Sequence, residues 1–592
     1  MRYLKTKLAV CLALSLPLAT FAAITIPSAG TPGGALPVMP EPFSTKLPST
    51  LAPLTQEYGA TPTVDNPSDF QFVVNKIEVL GISKYSEVDS LEVNKLAESL
   101  RQKYLNKNGE LSVKQLQTIT DALTTYFAQQ GYFLTKVYLP PQDISHERIV
   151  HLQVREGFLE KINIQGQTIY TQAQLEEPFK KYLGHPITAA EIESGLLTLR
   201  NYPGIEVNSV FAPGENPAGT VMNIQITESD RFNVLASANN YGNNVTGQYQ
   251  GMLSAHAYNL IHGADDLGLT FLQKTNPTNS EYYAAEYTRN FFFPRTQINT
   301  GYSYNRYTLG DTLVGLGLGG ISQIYHVNLI QNFIQSRTVE FSGNIGLNHE
   351  MGYLKQNSDK LNQDKITYAE ASLSAQFNFS RLNLVNVDEV AYEHGFNSFL
   401  DAMGVAPDGN LYPSRQGGSG AYAEGEFNLT SLSVNLYQQP DQYNLIELKM
   451  YGQYSPDLLT SFSQLSFGGQ NALPAYDTSE YLMDSGVTAH LEWKFPIPGL
   501  TNRVVPKTSY HFGDLLHLGI FTDYGNGWLN DPSSDEAGHV ALSDYGLGIY
   551  LSLGTHLQIE AIAARHYPSS VEPQDEESTR YWVGMNYVYT RF

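Results

Sequence analysis

The part of the chain from about residue 230 to residue 592 alternates apolar residues with polar residues or glycine, and this alternation constrains the fold more than any other feature. Leu267–Phe271 and Leu547–Leu553 show it plainly, with glycine or a hydroxyl-bearing residue between apolar ones. Successive side chains of a β-strand point to opposite faces, so these segments predict strands with one apolar face. A transmembrane barrel turns that face to lipid, whereas a soluble sandwich buries it, and alternation alone leaves both architectures open.

Composition favours the membrane barrel. The chain contains 39 tyrosines and 27 phenylalanines, although only 16% of its residues are charged. Membrane barrels use such aromatic residues in girdles at the two interfaces. After the N-terminal segment no run of about 18 apolar residues occurs, so we expect no transmembrane helix.

The N-terminus has the organisation of a secretory signal peptide over residues 1–22. Basic residues precede an apolar segment, Leu8–Ala19, which is too short to span a bilayer, and Ala22 ends a small-residue cleavage site. An uncleaved membrane anchor is the alternative. Because the single cysteine, Cys11, lies in this segment, the mature chain has no disulfides and no thiolate metal sites. The net charge of −22 argues against a nucleic-acid partner.

Between the signal peptide and the barrel, the sequence predicts a linker and two α/β units. Residues 23–69 are rich in proline and glycine, which predicts a flexible or extended linker. Residues 70–157 and 158–229 each follow the order strand, helix, helix, strand, strand. In each unit a capping box predicts the start of the second helix, at Ser112 and at Thr188.

Several short motifs occur in a fixed order along this framework. They are Gly131-Tyr132, Pro140-Pro141-Gln142, Val154-Arg155-Glu156-Gly157, Asn239-Asn240-Tyr241-Gly242, Thr246-Gly247, Asn259-Leu260 and Phe521-Thr522-Asp523-Tyr524-Gly525. Each is weak alone, but in this order the chain resembles the transporter component of two-partner secretion, within the BamA-like superfamily. The resemblance covers roughly residues 70–592. It implies two α/β POTRA domains, 70–157 and 158–229, followed by an all-β transmembrane barrel, 230–592, of 16 antiparallel strands, where strand length alone permits about 12 to 16.

The motif Phe521–Gly525 is similar to the F-x-D-x-G motif of a barrel strand in this family. Local alternation places Phe521 and Asp523 on the lumen side, where a carboxylate stays hydrated or paired, and Gly525 completes the motif. The resemblance implies that an extracellular loop folds into the lumen and that an arginine at the tip of this loop pairs with Asp523.

The corresponding loop in this chain departs from that pattern. Its predicted tip consists of Gly468, Gly469, Leu473, Pro474, Ala475 and Tyr476. Pro474 stands where the family has arginine, and proline has neither a positive charge nor a donor, so the arginine–carboxylate pair cannot form. We therefore expect Asp523 to use another partner. Because residues 23–69 contain too many prolines for the pore-plugging helix of the family, we expect the loop tip or an extended segment to fill the lumen.

The resemblance implies protein transport across the outer membrane. An unfolded exoprotein of the TpsA type would be recognised in the periplasm by the POTRA domains and would pass through the barrel to the cell surface. We expect recognition by β-augmentation, in which an extended client pairs with an exposed sheet edge. The predicted edge consists of Glu206, Val207, Asn208, Ser209, Val210 and Phe211. We also expect a monomer in contact with lipid, and Phe592 as the terminal aromatic residue presented to the barrel assembly machinery.

Three other classes of function compete with transport as interpretations of the sequence. An assembly factor that inserts barrels shares the POTRA domains and the barrel but usually carries more POTRA domains. A passive porin or an adhesin has no need of two α/β domains. The sequence shows no nucleophile–base pair, metal cluster or phosphate-binding loop, so we expect neither an enzyme nor a cofactor. Histidines 256, 262, 517 and 556 are interpreted as lumen or loop residues.

Overall fold

The structure is a computed structural model. It describes residues 26–40, 43–47, 55–56, 71–82, 88–144, 147–216, 218–290, 295–404, 412–506, 508–554, 556–568 and 570–591. The signal peptide predicted over residues 1–22 and the assembly role predicted for Phe592 lie outside these residues. Two residues of the N-terminal segment form strand β1 (Thr55–Gln56).

The first soluble unit consists of short strands packed against two helices. Its elements are β2 (Gln71–Val73), β3 (Lys76–Leu80), α1 (Ser90–Tyr104), β4 (Glu110–Ser112), α2 (Val113–Gln129), β5 (Lys136–Tyr138) and β6 (Ile149–Arg155). Strand β3 lies parallel to β6, which pairs antiparallel with β5. Helix α2 begins at the predicted capping box, where Ser112 and Gln115 bond each other's main-chain N–H groups. The short pair β2–β4 was not predicted.

The second soluble unit repeats this order. Its elements are β7 (Phe158–Gln165), α3 (Gln172–Glu176), α4 (Ala189–Arg200), β8 (Ile205–Pro213) and β9 (Gly219–Ser229). A 3₁₀ turn over Glu177–Tyr182 follows α3, and Pro178 at its start removes a donor that an α-helix would need. Helix α4 starts at the predicted capping box of Thr188 and Glu191. The strand order in the sheet is β1-β8-β9-β7.

The remaining chain forms a closed barrel. The barrel strands are β10 (Phe232–Asn239), β11 (Tyr249–Tyr258), β12 (Asp266–Thr275), β13 (Ser280–Asn290), β14 (Thr296–Thr308), β15 (Leu318–Gln335), β16 (Val339–Gln356), β17 (Asp359–Phe379), β18 (Leu384–Gly395), β19 (Asn428–Asp441) and β20 (Asn444–Tyr454), then, after a loop hairpin of β21 (Leu465–Phe467) and β22 (Tyr481–Met483), β23 (Ser485–Pro496), β24 (Leu516–Trp528), β25 (His539–Leu553), β26 (Leu557–His566) and β27 (Arg580–Arg591). A one-turn helix, α5 (Phe512–Leu515), precedes β24. Each barrel strand pairs antiparallel with its neighbours, and β27 pairs with β10. The prediction of two β-α-α-β-β domains followed by a barrel of 16 antiparallel strands is confirmed.

The barrel strands alternate as the sequence predicts. In β24, Ile520 and Tyr524 are exposed on the outer surface, whereas Phe521 and Asp523 are buried inside. In the described part of the chain, backbone groups pair from strand to strand around the closed ring, so each barrel strand has a neighbour on both sides.

Among the described residues, no helix has the length and apolar character needed to cross a membrane.

The second soluble unit docks against the turn that joins β15 and β16. Arg200 of α4 lies 2.6 Å from the Glu340 carboxylate, and Arg337 lies 3.0 Å from that of Glu193. A further contact joins Asn259, at the β11–β12 turn, to the carbonyl of Ile169 at 2.8 Å. These ion pairs and the hydrogen bond hold the second unit against two turns at one end of the barrel.

Candidate functional site in the barrel lumen

The loop between β20 and β23 folds into the barrel. Its tip is buried there, since Leu473, Ala475 and Tyr476 are at most 2% exposed. Gly468 and Gly469 begin the tip with φ of +100° and +111°, a conformation that side chains disfavour. A Cβ atom at Gly468 would lie 2.1 Å from the carbonyl oxygen of Asp477, so glycine is required at this turn.

At positions 474 and 475, main-chain groups rather than an arginine side chain attach the tip to the barrel wall. The indole Nε1–H of Trp582 donates to the Pro474 carbonyl at 2.7 Å. The Ala475 N–H donates to the Asp544 carboxylate at 2.8 Å. The family arginine is absent at position 474, but the tip is still hydrogen-bonded to two strands of the barrel.

Gly525 of the F-x-D-x-G motif makes room for the loop. A Cβ atom at this position would lie 2.5 Å from Leu473 Cδ1 and 2.9 Å from Phe467 Cδ1. These distances are far below van der Waals contact, so the missing side chain allows the loop to pack against β24. The motif glycine and the loop tip therefore form one packed unit.

Asp523 has a histidine partner that the sequence analysis missed. His490 Nδ1 on β23 lies 2.7 Å from Asp523 Oδ1 on β24. His490, Asp523 and Asp544 are directly opposite one another across three neighbouring strands. Counting alternate positions along β23 would have placed His490 on the lumen side, but the strand register that pairs it with Asp523 is set by the tertiary structure.

Below this row, a network of charged side chains crosses the lumen. Lys494 Nζ lies 3.1 Å from Glu447 and 3.4 Å from Glu492. The Tyr550 hydroxyl donates to Glu492 at 2.6 Å, and the Tyr241 hydroxyl donates to Glu560 at 2.5 Å. A cavity of about 200 Å³ lies between this network and the loop tip. The lumen is therefore polar at its centre.

A second group of contacts, also missed by the sequence analysis, closes the extracellular end. Asp484 is fully buried and accepts from Arg415 Nη1 at 2.6 Å. It also accepts from the N–H groups of Leu459 at 3.3 Å and Asn530 at 2.7 Å. Arg415 and Asn530 belong to two other extracellular loops, so Asp484 ties three loops together at the base of the lumen loop.

The N-terminal segment lies inside the barrel, with hydrogen-bonded turns over residues 28–36 and no regular structure at residues 37–40 and 43–47. The Ser322 hydroxyl donates to the Pro32 carbonyl at 2.5 Å, and Asn305 Nδ2 donates to that of Ala35 at 3.1 Å. Further along the segment, Gln558 Nε2 donates to the Phe43 carbonyl at 3.1 Å. The described parts, 26–40 and 43–47, include one 3₁₀ turn, Ser28–Gly30, and no α-helix.

The same segment reaches the edge that was predicted to bind a client. Strand β1 pairs parallel with β8, with Thr55 opposite Val210 and Gln56 opposite Phe211. Antiparallel pairing with β9 occupies the other side of β8. Among the described residues, Glu206 to Ser209 pair with no strand on the β1 side.

The comparisons with known proteins agree with this architecture. A family model described as haemolysin secretion/activation protein ShlB/FhaC/HecB matches residues 218–551, and the ShlB-type POTRA domain model matches residues 72–157. The heme/hemopexin transporter protein HuxB of Haemophilus influenzae is 21% identical over 535 residues, which cover 88% of each chain.

Two solved structures share the fold. CdiB from Escherichia coli aligns with a TM-score of 0.69 at 18% identity, covering 90% of this chain and 93% of that one. CdiB from Acinetobacter baumannii aligns with a TM-score of 0.61 at 18% identity, covering 90% and 94%. The resemblance inferred from the motifs is confirmed: the chain belongs to the ShlB/FhaC/HecB family of haemolysin secretion/activation proteins.

Proposed function

We propose that this protein is an outer-membrane transporter that moves an unfolded exoprotein from the periplasm through its barrel to the cell surface. The barrel lies in the outer membrane and the POTRA domains lie in the periplasm. HuxB is named a transporter, and proteins named CdiB are called outer membrane transporters. The proposal includes three points: the client is an exoprotein, the transporter works as a monomer, and the client is recognised along β8.

The observation that carries this proposal is the polypeptide segment already present in the lumen. Residues 26–40 and 43–47 make hydrogen bonds to side chains of β14, β15 and β26. A lumen that accommodates this segment beside the loop tip has the width needed for an unfolded client. Because Arg200 and Arg337 hold the second POTRA unit against the β15–β16 turn, a client bound on this unit lies next to that end of the barrel.

Barrel insertion is the rival function, and the seam of the barrel argues against it. All eight residues of β10, from Phe232 to Asn239, are opposite residues of β27. A route into the membrane requires a free strand edge, and a fully paired seam presents none. The closed barrel therefore offers a polypeptide a path along the barrel axis.

Deletion of the gene separates the two functions. Outer-membrane proteins and the secreted fraction are both quantified by mass spectrometry in the deletion strain and in a complemented strain. The transport proposal expects the loss of one exoprotein from the medium, with normal levels of other barrel proteins. A broad loss of barrel proteins from the outer membrane would overturn it in favour of insertion.

A further inference from the structure

We infer that the outer surface of the barrel carries a binding site for one lipid of the outer leaflet, a phosphorylated and multiply acylated glycolipid. Arg565 binds a phosphate group of this lipid, and an apolar groove beside Arg565 holds one of its acyl chains. The inference is independent of client transport, because it concerns the lipid-facing surface of the barrel and not the lumen.

The groove crosses four neighbouring strands, β23 to β26, and has a volume of about 820 Å³. Four large apolar residues line it, and all four are exposed on the outer surface of the barrel; they are Leu491, Trp493, Ile520 and Leu547. Clefts that bind small molecules are lined mainly by apolar side chains, with a few polar groups that fix the orientation of the ligand. The body of this groove therefore suits an acyl chain.

Two small side chains make the depression in this surface. Thr522 on β24 lies directly opposite Leu491 on one side and Tyr545 on the other. Ala563 on β26 lies directly opposite Leu547. Side chains on one face of a sheet stand next to their cross-strand partners, so a small residue beside a large one leaves a recess. The groove is thus set by the sequence of these strands and by their register.

One end of the groove is polar and positively charged. Arg565, the last residue but one of β26, is exposed there and lies directly opposite Tyr545. The ring of Tyr567 lies 4.8 Å from the ring of Tyr545, and its hydroxyl lies 3.2 Å from that of Thr522. A guanidinium can donate two parallel hydrogen bonds to a phosphate, and the hydroxyl groups offer further donors. This end of the groove therefore matches a phosphate group.

The charge of Arg565 has no counter-ion within the protein. In the described part of the chain, no carboxylate forms an ion pair with its guanidinium. A cation on the lipid-facing surface of a barrel is costly away from the interface, and basic pockets of membrane proteins bind anionic head groups. Arg306 on β14 is different, because it lies directly opposite the carboxylate residue Glu281. An anionic lipid head group supplies the charge that Arg565 lacks.

The position of Arg565 along β26 selects the outer leaflet. Strand β26 ends at His566, at the end of the barrel opposite to the β15–β16 turn that contacts the second POTRA unit. Because the POTRA domains lie in the periplasm, Arg565 lies near the cell surface. The outer leaflet of the outer membrane is built of a glycolipid that carries phosphates on its sugars and several acyl chains. Such a lipid fits both the charged end and the apolar body of the groove.

Titration of the full-length protein with lipid A, the phosphorylated anchor of this glycolipid, tests the site. The protein is delipidated in detergent, and native mass spectrometry measures the bound lipid at each concentration. Arg565→Ala should raise the dissociation constant about tenfold, because a charge-assisted contact with phosphate is lost. The matched control Arg306→Ala removes an arginine that faces Glu281 and should bind like the wild type. Equal dissociation constants for Arg565→Ala and the wild type overturn the inference.

A second pair of variants tests the groove and leaves the charge in place. Ala563→Trp fills the recess beside Leu547 and should also weaken lipid A binding about tenfold. The control Ala285→Trp places the same side chain opposite the lipid-facing Leu269, on a distant strand, and should leave binding unchanged. Heat-modifiable migration checks that each variant is folded. If Arg565→Ala does not fold, Ala563→Trp decides, and wild-type binding by it overturns the inference.

A second lipid identifies the source of the phosphate. Phosphatidylglycerol carries a phosphate and acyl chains but has no phosphorylated sugar, and it should bind at least about tenfold more weakly than lipid A. Equal binding of the two lipids, weakened equally by Arg565→Ala, would assign the groove to a phospholipid and overturn the inference. A second protein that covers the groove and excludes lipid A would overturn it as well. Secretion is not measured in these titrations, so their outcome leaves the transport proposal unchanged.

Discussion

His490 Nδ1 lies 2.7 Å from Asp523 Oδ1, and the two residues are directly opposite each other on β23 and β24. His490 thus occupies, from a strand of the barrel wall, the position of partner that the family resemblance assigns to an arginine of the loop. The partner of Asp523 and the attachment of the loop are consequently separate in this protein. The loop is attached through its main chain at Pro474 and Ala475, and through the Tyr476 hydroxyl, which donates to the Val571 carbonyl at 2.7 Å.

Removal of the His490 side chain should destabilise the barrel. His490→Ala leaves Asp523 buried without its donor, and we expect a loss of about 1–3 kcal/mol in the free energy of unfolding. Urea titration in lipid vesicles, followed by tryptophan fluorescence, measures this change. His556→Ala, at an exposed turn position, is the control and should change the free energy by less than about 0.5 kcal/mol. Equal effects of the two substitutions would show that the His490–Asp523 contact contributes nothing to stability.

An arginine at position 474 should compensate for the missing histidine. In the His490→Ala background, Pro474→Arg returns a guanidinium to the loop tip beside Asp523. We expect it to recover about 1 kcal/mol of the lost stability and to lower the channel's open fraction. The same substitution in the Asp523→Ala background should recover nothing, since the carboxylate is absent. Recovery in both backgrounds would mean that the introduced guanidinium acts through another group.

The indole of Trp582 should hold the loop tip in place. Trp582→Phe keeps an aromatic ring but removes the Nε1–H that donates to the Pro474 carbonyl. We expect about a tenfold increase in brief channel openings in planar bilayers, as one buried hydrogen bond is lost. Trp493→Phe is the matched control, because Trp493 lies on the outer surface and its Nε1–H donates to Asn444. Indistinguishable recordings for the two variants would show that the hydrogen bond from Trp582 does not hold the loop tip in place.

A methyl group at position 525 should displace the loop, and a smaller loop residue should restore it. In Gly525→Ala the new Cβ meets Leu473 at 2.5 Å, which the packed tip cannot accommodate without moving. We expect faster proteolysis of the loop in intact cells and a loss of about 1–3 kcal/mol in stability. Adding Leu473→Ala removes the closer of the two clashes and should return part of the loop protection, while the clash with Phe467 Cδ1 at 2.9 Å remains. If the double variant is cleaved faster than Gly525→Ala, the two residues do not share this contact.

The loop should be held more firmly at acidic pH than at alkaline pH. Glu480 lies in the loop, outside the membrane-spanning strands, and burial raises its pKa to about 7, although the N–H groups of Gln574 and Asp477 oppose the shift. The pKa of Glu480 is higher in the folded loop than in the displaced loop, so protonation of Glu480 stabilises the folded loop. This stabilisation is complete below the ordinary pKa of 4.5 and is lost as pH rises through about 7. Protease protection of the loop at pH 5 and pH 8 measures the difference. Glu480→Gln should abolish it, and an undiminished pH dependence in that variant would assign it to another group.

The local elements were predictable because neighbouring residues specify them. The capping boxes at Ser112 and Thr188 appear where the sequence places them, and Pro178 ends α3 early. Alternation along β24 was sufficient to place Asp523 and Phe521 on one face. The short pair β2–β4 escaped prediction because each of its strands has only three residues, too few to show a period.

The partners in the lumen were not predictable in the same way. Asp523 is 33 residues from His490, and Ala475 is 69 residues from Asp544. The contacts between these residues depend on the register between strands and on how deeply the loop enters the lumen. No local sequence pattern specifies either of these. Arg415 and Asp484 were missed for the same reason, since they meet only where three loops converge.

The sequence by itself determined the strands, the faces of the strands, the two α/β units and the family, because period, capping and motif order act over short stretches of chain. It also excluded an arginine–carboxylate lock at position 474, since proline offers no charge. Only the tertiary structure decided what replaces that lock and what fills the lumen. His490, the main chain of the loop tip and the N-terminal segment come together because closing the barrel surrounds them with one ring of inward-facing polar side chains, and those side chains take the nearest available partner.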